Sequence, residues 1–246
     1  MAEGLRERKK RRTKLHISEV AITLFVERGF DRVTIAEVAE AAEVSVNTVY
    51  NHFQAKEDLV FPPEEASAER LVEMVRDRPP GEPAARAMLS VLRAELRRGN
   101  RRVGLAHGFG RFLEMTRAAP TLVARLEELA GRMVAALATV LAEETGAAPD
   151  DPLPGLVASQ LGWVHEQVLR EIGRRAAAGE DPGVTAEAAL TLLDAIEGLL
   201  GEAVLTYAPG RPPGDAGDAR RAPGRPSGAF SHAPGRPPGG PSDDEG

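Results

Sequence analysis

An all-α fold is predicted, with an N-terminal three-helix unit containing a helix-turn-helix and a larger helical domain behind it. Three observations carry that prediction. Apolar residues recur at i, i+3, i+4 and i+7 along most of the chain. Pro- and Gly-rich breaks separate those stripes. Residues 34–57, TIAEVAEAAEVSVNTVYNHFQAKE, read as a short amphipathic helix, a tight turn and a second helix with an uncharged polar face.

The first helix is read from LHISEVAITLFVERGF, where Ile17, Ala21, Leu24 and Phe25 form one stripe and Gly29 stands at the C-cap. Thr34 occupies an N-cap position, and Glu37 three residues later completes a capping box. Ile35, Val38, Ala39 and Ala42 then give the second helix its apolar side. After a turn at 42–44, Ser45 is the next N-cap. Val46, Val49, Tyr50 and Phe53 are expected to face inward, with Asn47, Thr48, Asn51 and His52 on the opposite face. No acidic residue occurs from Val44 through Lys56, although the formal net charge is −6. Such a helix suits the major groove, where hydrogen-bonding side chains meet base edges and phosphates.

Ahead of these helices, Arg6, Arg8, Lys9, Lys10, Arg11, Arg12 and Lys14 face only Glu3 and Glu7. The cluster is expected to be a flexible arm that attracts phosphates and can follow the minor groove, or else a solubilising tail. An amphipathic helix follows it rather than an apolar core segment, so it does not read as a signal peptide. There is no cysteine, which excludes disulfide and thiol chemistry, and no apolar run approaches the length of a membrane span. A cytoplasmic protein with no membrane partner is the expectation.

Beyond Lys56, a helix is expected to be broken at Pro62–Pro63 and to resume over 64–78, with 76–83 a loop. Further helices are predicted over 84–98, 103–117, 120–145, 156–178 and 185–207, and 146–155 is a break. Gly104, Gly108 and Gly110 weaken the second of these. From Ala208 the near-repeats APGRPPG, APGRPSG and APGRPPG cannot support a packed core, so that tail is expected to be disordered.

The run AITLFVERGFDRVTIAEVAEAAEVSVNTVYNHFQAKEDLV, from Ala21 to Val60, resembles the TetR (tetracycline-repressor-like) family of bacterial transcription regulators. One position departs from the family pattern: Glu43 stands in the turn where glycine is usual. The resemblance implies a basic arm (1–14), a helix-turn-helix domain (15–57), a helical ligand-binding and dimerisation domain (58–207) and a tail (208–246). It implies that Ser45, Val46, Asn47 and Thr48 open the recognition helix, with Asn51 a further base reader. It implies that Thr34, Tyr50, His52 and Lys56 hold phosphates, although Tyr50 also suits core and His52 also suits a solvated surface.

The same resemblance implies a homodimer through the last two long helices, the alternative being ordinary core helices of a monomer. It also implies a pocket for a small-molecule effector. Candidate lining residues are His107, Phe109, Phe112, Met115, Trp163, His165, Glu166 and Gln167, and for each aromatic and Met among them plain core packing is the favoured alternative. Five scattered histidines without a His-x-x-x-His pair argue against a metal effector. No phosphate loop, G-x-S-x-G elbow or H-E-x-x-H is present, so neither an enzyme nor a cofactor is expected. A ligand-responsive repressor on a palindromic operator is the expected function. The alternative is a non-specific architectural DNA-binding protein without an effector.

Overall fold

The computed structural model describes residues 4–61, 68–100, 103–105 and 108–210; Pro62–Pro63, His107 and the repeats from Arg211 onward lie outside them. The described residues form ten α-helices and no β-strand: α1 (Leu5–Arg28), α2 (Ile35–Ala41), α3 (Val46–His52), α4 (Arg70–Arg76), α5 (Ala84–Arg97), α6 (Phe109–Ala118), α7 (Pro120–Thr145), α8 (Leu153–Ala177), α9 (Pro182–Leu199) and α10 (Glu202–Leu205). None of them is long and apolar enough to cross a membrane.

Helix α1 runs unbroken from Leu5, so most of the expected flexible arm is helix instead. A basic run of Arg and Lys has good helix propensity, and here it extends a helix already nucleated by the buried stripe Ile17, Ala21 and Phe25. The Gly29 amide closes the helix on the Phe25 carbonyl at 2.8 Å. Helix α7 matches its predicted ends: Pro120 opens it, and Gly146 closes it in the left-handed region at φ +64°.

Two expected helices are shorter than the pattern suggested. Gly104 and Gly108 adopt φ +82° and +87°, which a right-handed helix cannot contain, so α6 begins only at Phe109. Likewise Leu200 and Gly201 are extended and end α9, after which the short α10 buries Val204.

Two apolar cores result. The first joins α1, α2 and α3 to Leu59, Val60, Met115, Ala119 and Leu122, so the corner between α6 and α7 closes the N-terminal bundle. Phe25 and Phe30 meet edge to face at 5.0 Å within it. The 3₁₀ turn Lys56–Leu59 ties this unit to its neighbours: Ser18 Oγ donates to the Leu59 carbonyl at 2.6 Å, and Arg125 of α7 donates to Asp58 at 2.9 Å. The second, larger core lies among α4, α5, α7, α8 and α9, with Met88, Leu92, Leu137, Leu161 and Val168 at its centre.

Arg78 is buried to 2% side-chain exposure and gathers four segments. It donates to the carbonyls of Val75 (2.6 Å), Glu82 (2.9 Å) and Ala208 (3.1 Å), and to both carboxylate oxygens of Glu144 at the end of α7. Residues 207–210 meanwhile lie along loop 81–84: Gly81 N–H donates to Gly210 at 2.8 Å, and Gly210 N–H donates back to Glu82 at 3.0 Å. The ordered contacts therefore extend past the expected boundary at Ala208.

His165, on α8, is 8% exposed, and its Nε2 has no hydrogen-bond partner among the described residues. Burial, reinforced by the Arg70 charge, pushes its pKa down to about 4. The folded state thus resists the proton that the unfolded chain accepts near pH 6.5, and stability falls as pH drops from about 6.5 towards 4. His165→Gln is expected to remove that component. Urea unfolding at pH 7 and pH 4.5 should show the wild type losing on the order of 2 kcal/mol more than the variant.

Candidate nucleic-acid interface

The helix pair α2–α3 is built by local rules. The Thr34 hydroxyl accepts from Glu37 N–H at 3.2 Å and donates to its carboxylate at 2.8 Å, while Thr34 N–H donates to the same carboxylate at 2.7 Å. These bonds, with Arg28 at 3.6 Å, hold the Glu37 carboxyl below its ordinary range. Ser45 caps α3 by accepting from Thr48 N–H at 3.0 Å. Between the helices the Val44 amide reaches back to the Ala39 carbonyl at 2.9 Å, which places Glu43 at φ +54°. A left-handed conformation costs a non-glycine residue about 1–2 kcal/mol. The turn keeps the geometry glycine would favour and carries the strain.

The faces of α3 differ in part from the expected inward stripe. Val49 and Phe53 are buried, but Val46 is exposed and Tyr50 is 60% exposed. The reason is geometric: Val49 and Phe53 form one i, i+4 row, and in a helix of two turns the neighbouring row of Val46 and Tyr50 swings clear of the bundle. Asn47 and Asn51 are exposed, and Thr48 and His52 are half-buried. The outward surface of α3 is therefore Val46, Asn47, Tyr50 and Asn51, four side chains with apolar, amide and phenol chemistry and no carboxylate.

Two expected phosphate holders are engaged inside the unit. Lys56 Nζ donates to the Phe30 carbonyl at 2.6 Å and stands 4.4 Å from the Phe30 ring centroid. Thr34, although exposed, gives its hydroxyl proton to Glu37. Sequence spacing shows the Thr34–Glu37 capping box but not the Lys56 contact, because Phe30 is 26 residues away and meets Lys56 only in the folded unit. Part of the expected basic arm lies beside α3: Arg6, Glu7 and Lys10 in the first turns of α1 line a cleft with Asn51 and His52 at the end of α3.

The described effector-pocket candidates do not converge. Phe109 and Phe112 stack at 6.1 Å, and Phe112 meets Phe61 edge to face at 6.2 Å. Met115 is packed in the N-terminal core, and His165 is buried on α8. Trp163 is 46% exposed on the outer side of α8, where Glu166 pairs with Arg170 and Gln167 is half-buried. A cleft of about 330 Å³ lies elsewhere, between the first turn of α6, the last turn of α8 and the start of α9, with Gly108, Gly110, Arg111, Ile172, Glu180 and Thr185 among its walls. The two helices touch backbone to backbone there, since a Cβ on Gly110 would sit 2.5 Å from the carbonyl group of Ala176.

The chain is similar to several known proteins. The sequence model described as bacterial regulatory proteins, tetR family, matches residues 17–61. The HTH-type transcriptional regulator TcmR of Streptomyces glaucescens is 34% identical over 178 residues, which span 68% of this chain and 76% of that protein. The HTH-type transcriptional repressor KstR2 of Rhodococcus jostii (strain RHA1) is 42% identical over 50 residues, 20% of this chain and 24% of that protein. Among solved structures, NalD, the secondary repressor of the MexAB-OprM multidrug efflux pump in Pseudomonas aeruginosa, is 18% identical with a TM-score of 0.49, covering 76% of this chain and 96% of its own.

Proposed function

The chain belongs to the tetR family of bacterial regulatory proteins and is a DNA-binding transcriptional regulator; from that premise we propose that it is a repressor which holds a palindromic operator as a two-fold dimer and releases it on binding a small molecule. The observation that carries this reading is the outward face of α3, where Val46, Asn47, Tyr50 and Asn51 stand exposed on a helix capped by Ser45. Asn can pair with the N6 and N7 edge of adenine, Val can meet the thymine methyl, and a phenol can donate to a phosphate.

Dimerisation is supported by the outer sides of α8 and α9. Leu153, Leu156 and Trp163 on α8, and Val184 and Leu199 on α9, are exposed apolar side chains with nothing over them in the single chain. Exposed Ala195 and Gly198 allow a second helix to approach α9 closely. A second copy related by a two-fold axis would cover this face and present two α3 helices to two half-sites.

The effector reading rests on the cleft beside α6. Its occupant would press on the seam between α6 and α8, and α6 also carries Phe112 and Met115 into the N-terminal core. Movement of α6 would then tilt the reading helices away from operator spacing.

Selection from a random DNA pool at physiological salt tests the regulator reading. A palindrome supports it, whereas salt-sensitive binding with no motif favours an architectural binder. On the selected operator Asn47→Ala should cost about 1–3 kcal/mol and relax base preference. Equal weakening on all sequences would remove Asn47 from base reading.

A further inference from the structure

We propose that Arg6 and Lys10 of α1, together with Asn51 and His52 of α3, form a seat for one backbone phosphate in each operator half-site, at the edge of the base-reading face where Asn51 turns from bases to backbone. The proposal rests on the reading of α3 as the DNA-reading helix and adds the partner of its far end.

These four residues line one cleft. Arg6 and Lys10 are exposed, one helical turn apart on the same side of α1, and neither has a hydrogen-bond or ion-pair partner among the described residues. Because α1 is already helical from Leu5, the backbone positions that carry the two cations are fixed beside α3. A flexible arm can follow the floor of the minor groove. A regular helix some 10 Å across with its side chains cannot enter that groove, and its cations meet the phosphate rim instead. Asn51 adds an amide donor at the same place, so charge comes from one helix and directional hydrogen bonding from the other.

Glu7 lines the cleft as well, and its carboxylate opposes a phosphate. The two cations leave a net positive charge there, reduced by that one carboxylate. The seat therefore predicts opposite signs for its neighbours: neutralising Arg6 and Lys10 weakens binding, and Glu7→Gln strengthens it.

The experiment uses the full chain and the operator selected by the wild type. Arg6→Gln with Lys10→Gln keeps two good helix formers at exposed positions, and circular dichroism checks that α1 persists. The double variant should bind roughly five- to tenfold more weakly on operator and random DNA alike, with a log–log salt slope shallower by about 1. Glu7→Gln should tighten binding about twofold. A scan of single methylphosphonate substitutions should find one position per half-site that weakens the wild type but leaves the double variant unchanged. An unchanged salt slope, or additive effects at every phosphate, overturns the seat while the operator reading stands. Base preference relaxed by the double variant overturns it in favour of groove contact. A wild type that enriches no motif overturns the operator reading and the seat with it.

Discussion

Arg78→Ala is expected to lower folding stability by about 3–5 kcal/mol, enough to reduce the melting temperature by roughly 6–20 °C in a chain of this size. The argument is one of orphaned partners. The guanidinium is 2% exposed and serves three backbone carbonyls as well as the Glu144 carboxylate, and alanine supplies none of those donors. Each carbonyl left dry costs about 1–3 kcal/mol, less whatever water can enter. Arg76→Ala is the matched control, because its ion pair with Glu69 is exposed on both sides and should contribute within about 1 kcal/mol. Glu144→Gln separates charge from hydrogen bonding and should fall between the two. Thermal unfolding of the three variants checks the ranking, and an Arg78→Ala protein as stable as the control would refute the clasp.

Trp163→Glu is expected to split the dimer and abolish operator binding while leaving the subunit folded. In the proposed dimer, two-fold symmetry places the substitution in the interface twice, and each lost indole removes about 2 kcal/mol or more. Together that is at least about a thousandfold in the dimer dissociation constant, before the cost of facing two carboxylates. A monomer engages one half-site and loses the effective concentration of its second reading helix, a further penalty of about a hundredfold or more on a palindrome. Because Trp163 is 46% exposed in the single chain, its loss should change subunit stability little. Sedimentation velocity and a gel-shift titration on the selected operator report the two effects. A variant that stays dimeric would move the interface off the outer face of α8.

What the sequence disclosed was governed by distance along the chain. The capping box at Thr34, the Ser45 cap and the left-handed turn at Glu43 depend on neighbours within five residues, and each is present. The ends of α7 are set by Pro120 and Gly146 in the same local way. Misreadings arose where a remote partner or a backbone angle decides. Tyr50 fits a helical stripe, yet the bundle reaches only the row beside it. Gly104 and Gly108 look like tolerated weak points in a helix, but their positive φ angles preclude one. The bond from Lys56 to the Phe30 carbonyl, 26 residues away, is likewise invisible to spacing. The pocket candidates were chosen by residue type, and the cleft beside α6 is walled largely by small residues that type alone does not mark.

The clasp at Arg78 also imposes an order on synthesis. The last of its carbonyl partners, Ala208, follows it by 130 residues, and loop 81–84 awaits the same stretch of chain. At usual elongation rates Arg78 precedes that partner from the ribosome by roughly ten seconds. Helices α1 to α3 and their neighbours emerge throughout that interval, whereas the second core cannot seal around its buried cation until nearly all of the described chain has been made. Translation stalled before Ala208 would therefore leave a nascent chain with its DNA-reading helices synthesised and the domain that controls them still open to chaperones and proteases.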